Sequence, residues 1–182
     1  IGYQALYVQN RDGSKNTAIG YLALTNLGNS VTYGGIQNTA VGYSAGGSGV
    51  FGGGSNGNGN NNTLLGFQAG MAVTTGTDNV VIGSSAGQAL TGGYQNILIG
   101  SDAGAAMEGD HNNIAIGHGA LDAANSGIQT HNIAIGTNAL TNETTSADYC
   151  VAIGSSALAA QDADVKNTAI GGLAGLAVTT GT

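Results

Sequence analysis

The sequence predicts an all-β fold, a parallel β-roll or β-solenoid with coils of about 17–24 residues, on three observations. A short motif ending in an aliphatic residue and glycine recurs along the whole chain. The apolar segment before each of these glycines is brief and rich in β-branched residues, and asparagine and alanine stand at fixed offsets from the glycine. Two hexamers are even repeated letter for letter: KNTAIG is Lys15–Gly20 and Lys166–Gly171, and AVTTGT is Ala72–Thr77 and Ala177–Thr182. Neither holds catalytic side chains at a useful spacing, so the duplication marks a structural unit.

The motif glycines are Gly2, Gly20, Gly42, Gly66, Gly83, Gly100, Gly117, Gly136, Gly154 and Gly171, spaced by 18, 22, 24, 17, 17, 17, 19, 18 and 17 residues. Helical coils are excluded, because a helix pair needs more than about 30 residues per repeat. TAIG, VVIG, ILIG and IAIG are short, β-branched and turn-bounded, which is the signature of a strand. Alternation puts the first and third residues of each such strand on one face and the middle residue, usually alanine, on the other. The expectation is that the bulkier pair fills the roll interior, while the small middle residue allows close approach of neighbouring chains about a common axis.

Glycine ends the strand because a tight corner needs a residue free of Cβ constraints. Three residues later stands an alanine in every coil, from Ala5 to Ala174, followed always by Leu or Gly. This x-x-Ala segment is expected to form a second short strand with its alanine inward. Four residues before the glycine stands an asparagine: Asn16, Asn38, Asn62, Asn79, Asn96, Asn113, Asn132 and Asn167, with Cys150 as the one departure. In register these amides would stack as a ladder, each donating and accepting between coils. With coils about 4.8 Å apart, the chain makes a rod about 45 Å long.

Residues 1–182 read as one repetitive segment of a longer fibre, with a change of character near residue 78. Residues 1–77 carry long loops, above all Gly46–Asn62, and an aromatic after the glycine: Tyr3, Tyr21, Tyr43 and Phe67. Residues 78–182 are more regular and place Ser84, Ser101, His118, Thr137, Ser155 or Gly172 there.

Composition narrows the function classes. The chain has 34 glycines, no proline and only 7% charged residues, yet 41% is hydrophobic, which argues against disorder. Its apolar residues are small, so burial must come from stacking coils or neighbouring chains. A net charge of −7 opposes nucleic-acid binding, which needs clustered Lys and Arg. No apolar run approaches the roughly 20 residues of a membrane helix, so no membrane insertion is expected. A single cysteine excludes an internal disulfide.

Individual motifs carry little chemistry. Gly52–Gly57 (GGGSNG) matches a dinucleotide-loop spacing without the flanking strand and helix that loop requires, so it reads as a polar insertion. Asp162–Asp164 (DAD) offers two carboxylates where Ca²⁺ wants six to eight oxygens. His111, His118 and His131 lack metal-ligand spacing within one chain; only His118 facing a shared axis would bring three imidazoles together. Cys150 reads as a small core residue in the ladder column. No metal, cofactor or catalytic residue is expected. The column Tyr3, Tyr21, Tyr43, Phe67 has two readings: a platform on which sugar rings stack, or a passive ladder of like side chains. The sequons Asn61–Thr63 and Asn142–Thr144 follow from a composition rich in Asn and Thr.

NTAIGYLAL (Asn16–Leu24), NTAVGYSAG (Asn38–Gly46) and IGYQAL (Ile1–Leu6) resemble the NTAxGYxAL repeats of phage tail fibres, and the unit is also similar to the head repeats of trimeric autotransporter adhesins. The resemblance spans all ten coils. It implies a homotrimer of β-rolls, intertwined or side by side, outside a cell or on a virion, that attaches to a cell-surface glycan or protein receptor. The Asn-Thr-Ala-Ile-Gly start and the coil length favour the tail-fibre likeness over the adhesin one. Two other solenoid functions fit less well. An ice-binding face needs an uninterrupted threonine row, and Val80, Ile97, Ile114, Ile133 and Val151 interrupt Thr17, Thr39, Thr63 and Thr168. A polysaccharide-binding or polysaccharide-cleaving solenoid would group its acids, and here they are scattered singly through loops.

Overall fold

A computed structural model describes residues 1–7, 15–27, 35–48, 59–123, 129–142, 148–161 and 166–179. Among the described residues the only regular elements are nine strands of three residues: β1 (Thr17–Ile19), β2 (Thr39–Val41), β3 (Thr63–Leu65), β4 (Val80–Ile82), β5 (Ile97–Ile99), β6 (Ile114–Ile116), β7 (Ile133–Ile135), β8 (Val151–Ile153) and β9 (Thr168–Ile170). They form one parallel sheet in chain order, each strand paired with the next. Register is uniform, so Thr17 pairs with Thr39, Val80 with Ile97 and Ile133 with Val151. The molecule is a β-solenoid in which the motif of each coil lies on the motif of the next.

Hydrogen bonding between coils extends past the strands. The Gly20 N–H donates to the Ile1 carbonyl at 2.8 Å, Leu22 N–H to Tyr3 at 3.0 Å and Leu24 N–H to Ala45 at 3.0 Å, and equivalent bonds recur in later coils. The x-x-Ala segment is nevertheless not a strand, which corrects the expectation. Leu22 and Leu24, on either side of the inward Ala23, have φ of 55° and 46°, and later coils repeat this with Gln68 and Gly70 or Ser156 and Leu158. Two left-handed residues flanking one ordinary residue fold the chain into a tight ridge instead of an extended segment.

A second correction concerns the strand faces. The middle residue points into the coil and is buried in all but the last strand: Ala18, Ala40, Leu64, Val81, Leu98, Ala115, Ala134 and Ala152. The first and third residues point outward and are exposed or half-buried in every strand. Alanine is the common inward residue because the coil is narrow: a second buried alanine, such as Ala23 or Ala120, also points in.

In seven of the nine strand-bearing coils side-chain volume is conserved across that narrow interior; Ala40 with Gly46 and Ala169 with Gly175 are the exceptions. Where the middle strand residue is Ala18, Ala115, Ala134 or Ala152, the residue four past the motif glycine is a buried leucine: Leu24, Leu121, Leu140 or Leu158. Where it is Leu64, Val81 or Leu98, that later residue is Gly70, Gly87 or Gly104. A Cβ on Gly70 would lie 2.7 Å from Leu64 Cδ2, and one on Gly87 2.9 Å from Leu98 Cδ1. In those seven coils one large side chain enters from one wall or from the other, as close packing of a narrow interior requires. Leu27, Val73, Leu90 and Met107 close it farther along their coils.

The motif glycines form a column of their own. Gly20, Gly42, Gly66, Gly83 and Gly100 all have φ between 136° and 141°, and a Cβ on any of them would overlap the carbonyl oxygen of the motif glycine in the next coil. Any side chain here separates two coils.

Candidate interaction surface

The asparagine column runs inside the rod. The Asn38 N–H donates to Asn16 Oδ1 at 2.8 Å, Asn62 N–H to Asn38 Oδ1 at 2.8 Å, and the pattern continues through Asn79, Asn96, Asn113 and Asn132 to the Cys150 N–H on Asn132 Oδ1 at 2.9 Å. Each Nδ2 from Asn62 to Asn113 also donates back to the preceding Oδ1, at 3.0–3.3 Å. Its other proton goes to a backbone carbonyl, as from Asn79 to Gly93 at 2.8 Å and from Asn96 to Asp110 at 2.7 Å. The fully buried Asn79 and Asn96 thus make at least four bonds through each amide, the condition under which a buried polar network stabilises a fold. From Asn38 to Asn132 these amides are buried, and they hold the coils in register.

At Cys150 the column changes partner. Gln161 Nε2 donates to Cys150 Sγ at 2.9 Å, while Asn167 Nδ2 donates to Gln161 Oε1 at 2.9 Å. Gln161 therefore bridges the two coils where the thiol has no amide. The thiol itself is buried.

Tyr3, Tyr21, Tyr43 and Phe67 stack in one row. Successive ring centroids are 5.2–5.3 Å apart with interplanar angles of 11–15°. Both faces of Tyr21 and of Tyr43 are turned to a neighbouring ring, leaving edges and hydroxyls to solvent. No sugar ring fits between rings so spaced, since each stacking contact itself takes about 3.5–4 Å. Only the outer faces of Tyr3 and Phe67 are open to stacking.

Sequence reasoning did not single out two further stacks. Tyr94 and His111, both six residues before a motif glycine, stack at 4.3 Å and 14°. His131 and Tyr149, both five residues before one, stack at 4.8 Å and 10°, with Lys166 Nζ 5.2 Å from the Tyr149 ring centre. Counting offsets backward as well as forward from the glycine finds both.

His118 stands exposed at the corner after Gly117, with Nε2 3.8 Å from Asp102 Oδ2. Burial, and then the nearby Asp102 carboxylate, raise the Asp122 carboxyl above its ordinary 3.8, while the Ala105 N–H and His118 pull it down. Burial likewise raises Asp110, against the pull of the Gln129 and Glu108 N–H groups on its oxygens at 2.7 and 2.9 Å. Among the described residues no three His, Cys, Asp or Glu side chains are placed to hold a metal ion. Asn61, in the first sequon, is exposed and donates to Asp78 Oδ1 at 3.0 Å. The stretches Gly52–Gly57 and Asp162–Asp164, and most of the second sequon, lie outside the described residues.

What the solenoid does leave uncovered is the outward face of its sheet. Its leading column holds the first residue of each strand: Thr17, Thr39, Thr63, Val80, Ile97, Ile114, Ile133, Val151 and Thr168. Its trailing column holds the third: Ile19, Val41, Leu65, Ile82, Ile99, Ile116, Ile135, Ile153 and Ile170. Neither column contains a charge, in a chain whose net charge is −7. In the trailing column Ile19 is 42% exposed and Leu65 45%, while its residues in β4–β8 are half-buried. No helix among the described residues is long and apolar enough to cross a membrane. No family model matches the chain, and no curated protein or solved structure is similar enough to count as a relative.

Proposed function

We propose that the chain is a structural and attachment protein: a trimeric segment of a fibre that projects from a virion and supports binding to a host-cell surface. The observation that carries this reading is the charge-free aliphatic face running the length of a rod. Monomeric proteins rarely leave so long an apolar patch open to water, and a stiff rod with its polar groups bonded between coils is a spacer rather than a pocket. The number three comes from the likeness of Asn16–Leu24 and Asn38–Gly46 to tail-fibre repeats. Contact with the host surface, through a glycan or protein receptor, belongs to the fibre, for which this segment sets distance and stiffness.

Sedimentation equilibrium tests the assembly. The expected species has three times the 17.7 kDa chain mass, with the friction of an elongated particle in a velocity run. A compact monomer at micromolar concentration refutes the reading. Binding of the labelled protein to candidate host cells, measured by flow cytometry, then separates an attachment segment from a passive spacer.

A further inference from the structure

The apolar stripe on the outer face is not straight. In β1–β3 the leading residue is threonine, and the corner residue, two positions past the trailing one, is aromatic: Thr39, Val41, Tyr43 is such a row. In β4–β8 the leading residue is valine or isoleucine and the corner residue is small or polar: Val151, Ile153, Ser155 is such a row. The trailing column is aliphatic throughout. Each row from β1 to β8 thus keeps two adjacent apolar residues, and their position steps sideways by one column between β3 and β4. At β9 only Ile170 of the three remains.

We propose that copies of this chain meet along this stepped stripe, parallel and in register, and that the stacked aromatics are its first segment, buried between copies, instead of a surface for sugars. The proposal rests on the oligomer reading above and adds to it which residues make the contact.

Three arguments name a second copy as the occupant. The stripe carries no charge, so chains of net −7 meeting there bring no like charges into direct contact. Its rows recur about every 4.8 Å, and a partner supplies a side chain for each row only if it has the same repeat. Copies related by rotation about the rod axis set each row against its own counterpart, the step included. An antiparallel copy would set Tyr21 and Tyr43 against rows whose corner residues are Thr137 and Ser155. Eight rows by two columns cover about 38 Å by about 13 Å. That is about 500 Å² on each copy and about 1,000 Å² for a pair, the lower bound for a specific interface.

The step makes opposite demands on the same column. Aspartate at Tyr43 and at Val151 is expected to raise the dissociation constant of the assembly about tenfold or more, because like charges then meet in a desolvated contact. Aspartate at Thr39 and at Ser155, in the same two rows but off the stripe, is expected to leave it within about threefold. Circular dichroism and the unfolding midpoint of dilute protein establish that each variant keeps the coil fold. A measurement independent of destabilisation is oxidative cross-linking: Tyr43→Cys should link copies and Ser155→Cys should not, Cys150 being buried. An assembly that survives Tyr43→Asp, or that fails with Thr39→Asp as readily as with Val151→Asp, overturns the stepped stripe while the oligomer stands. A wild-type protein that is monomeric overturns both.

Discussion

At the scale of single residues, the motif glycine is the position with least freedom. Gly100 has a φ of 138°, and its missing Cβ is what lets the Gly117 carbonyl approach. Gly100→Ala combines a disfavoured backbone conformation with overlap against backbone that cannot turn aside. The expected loss is about 3 kcal/mol or more in urea unfolding, and a loss under about 1 kcal/mol would show that coils can part cheaply. Asn96 is comparable for a different reason. Asn96→Ala strands the Asn113 N–H and removes donors from Asn79 Oδ1 and the Asp110 carbonyl, all of them buried. Stranded groups of this kind cost about 1–3 kcal/mol each. The two raised carboxyls give stability a pH dependence with a definite sign. Asp110 and Asp122 hold their protons to higher pH when folded, so the folded state binds more protons above 3.8, up to the raised values. Stability therefore falls as pH rises through that window and is flat with respect to these groups below it. The urea midpoint should increase on acidification from neutral pH toward 4, and Asp122→Asn should flatten part of the rise; a midpoint that declines over the same range contradicts the assignment.

At the scale of the coil, the pairing of Leu64 with Gly70 predicts a compensated exchange. Leu64→Ala opens a cavity and should cost about 2–5 kcal/mol; Gly70→Leu alone runs into Leu64 and overpacks. The double variant recreates the Ala18/Leu24 arrangement, whose leucine tolerates a φ of 46° against 54° at Gly70. A double-mutant cycle should show favourable coupling of about 1–3 kcal/mol, and additive losses would mean that the two walls do not share one space. The same coil shows how far sequence reaches. Glycine, alanine and asparagine were legible because each meets only its own kind on the next coil, so the physical demand repeats with the motif. The strand faces were not, because a period of two says which residues share a face and not which face is inside. Only the inner width decides, and that depends on the ridge made by residues such as Leu22 and Leu24, whose left-handed backbone no propensity scale anticipates. Gln161 and Asp110 were hidden too, since they serve the ladder and the next coil from segments whose length varies.

At the scale of the whole molecule, a rod of like coils touching only their neighbours distributes its stability as a sum of coil and interface contributions. Contacts along the rod axis shield the outer face only in part: bonds between coils are satisfied in one chain, whereas Ile19, Leu65, Tyr21, Tyr43 and Phe67 remain between 42% and 49% exposed. Burying that face between copies adds a term that depends on concentration, and mass action then links assembly to unfolding. For a trimer, each tenfold rise in chain concentration should add about 1 kcal/mol per chain, seen as a rise of about 2–4 °C in Tm. Tyr43→Asp and Val151→Asp should remove most of that dependence; Val151→Asp should change the Tm of dilute protein little, because its side chain lies outside the coil interior, whereas Tyr43→Asp also gives up its stacking on Tyr21 and Phe67 and should lower that Tm. A Tm that stays constant over a hundredfold range of wild-type concentration would mean that the exposed face is stable in water alone, and that the rod is held together only along its own axis.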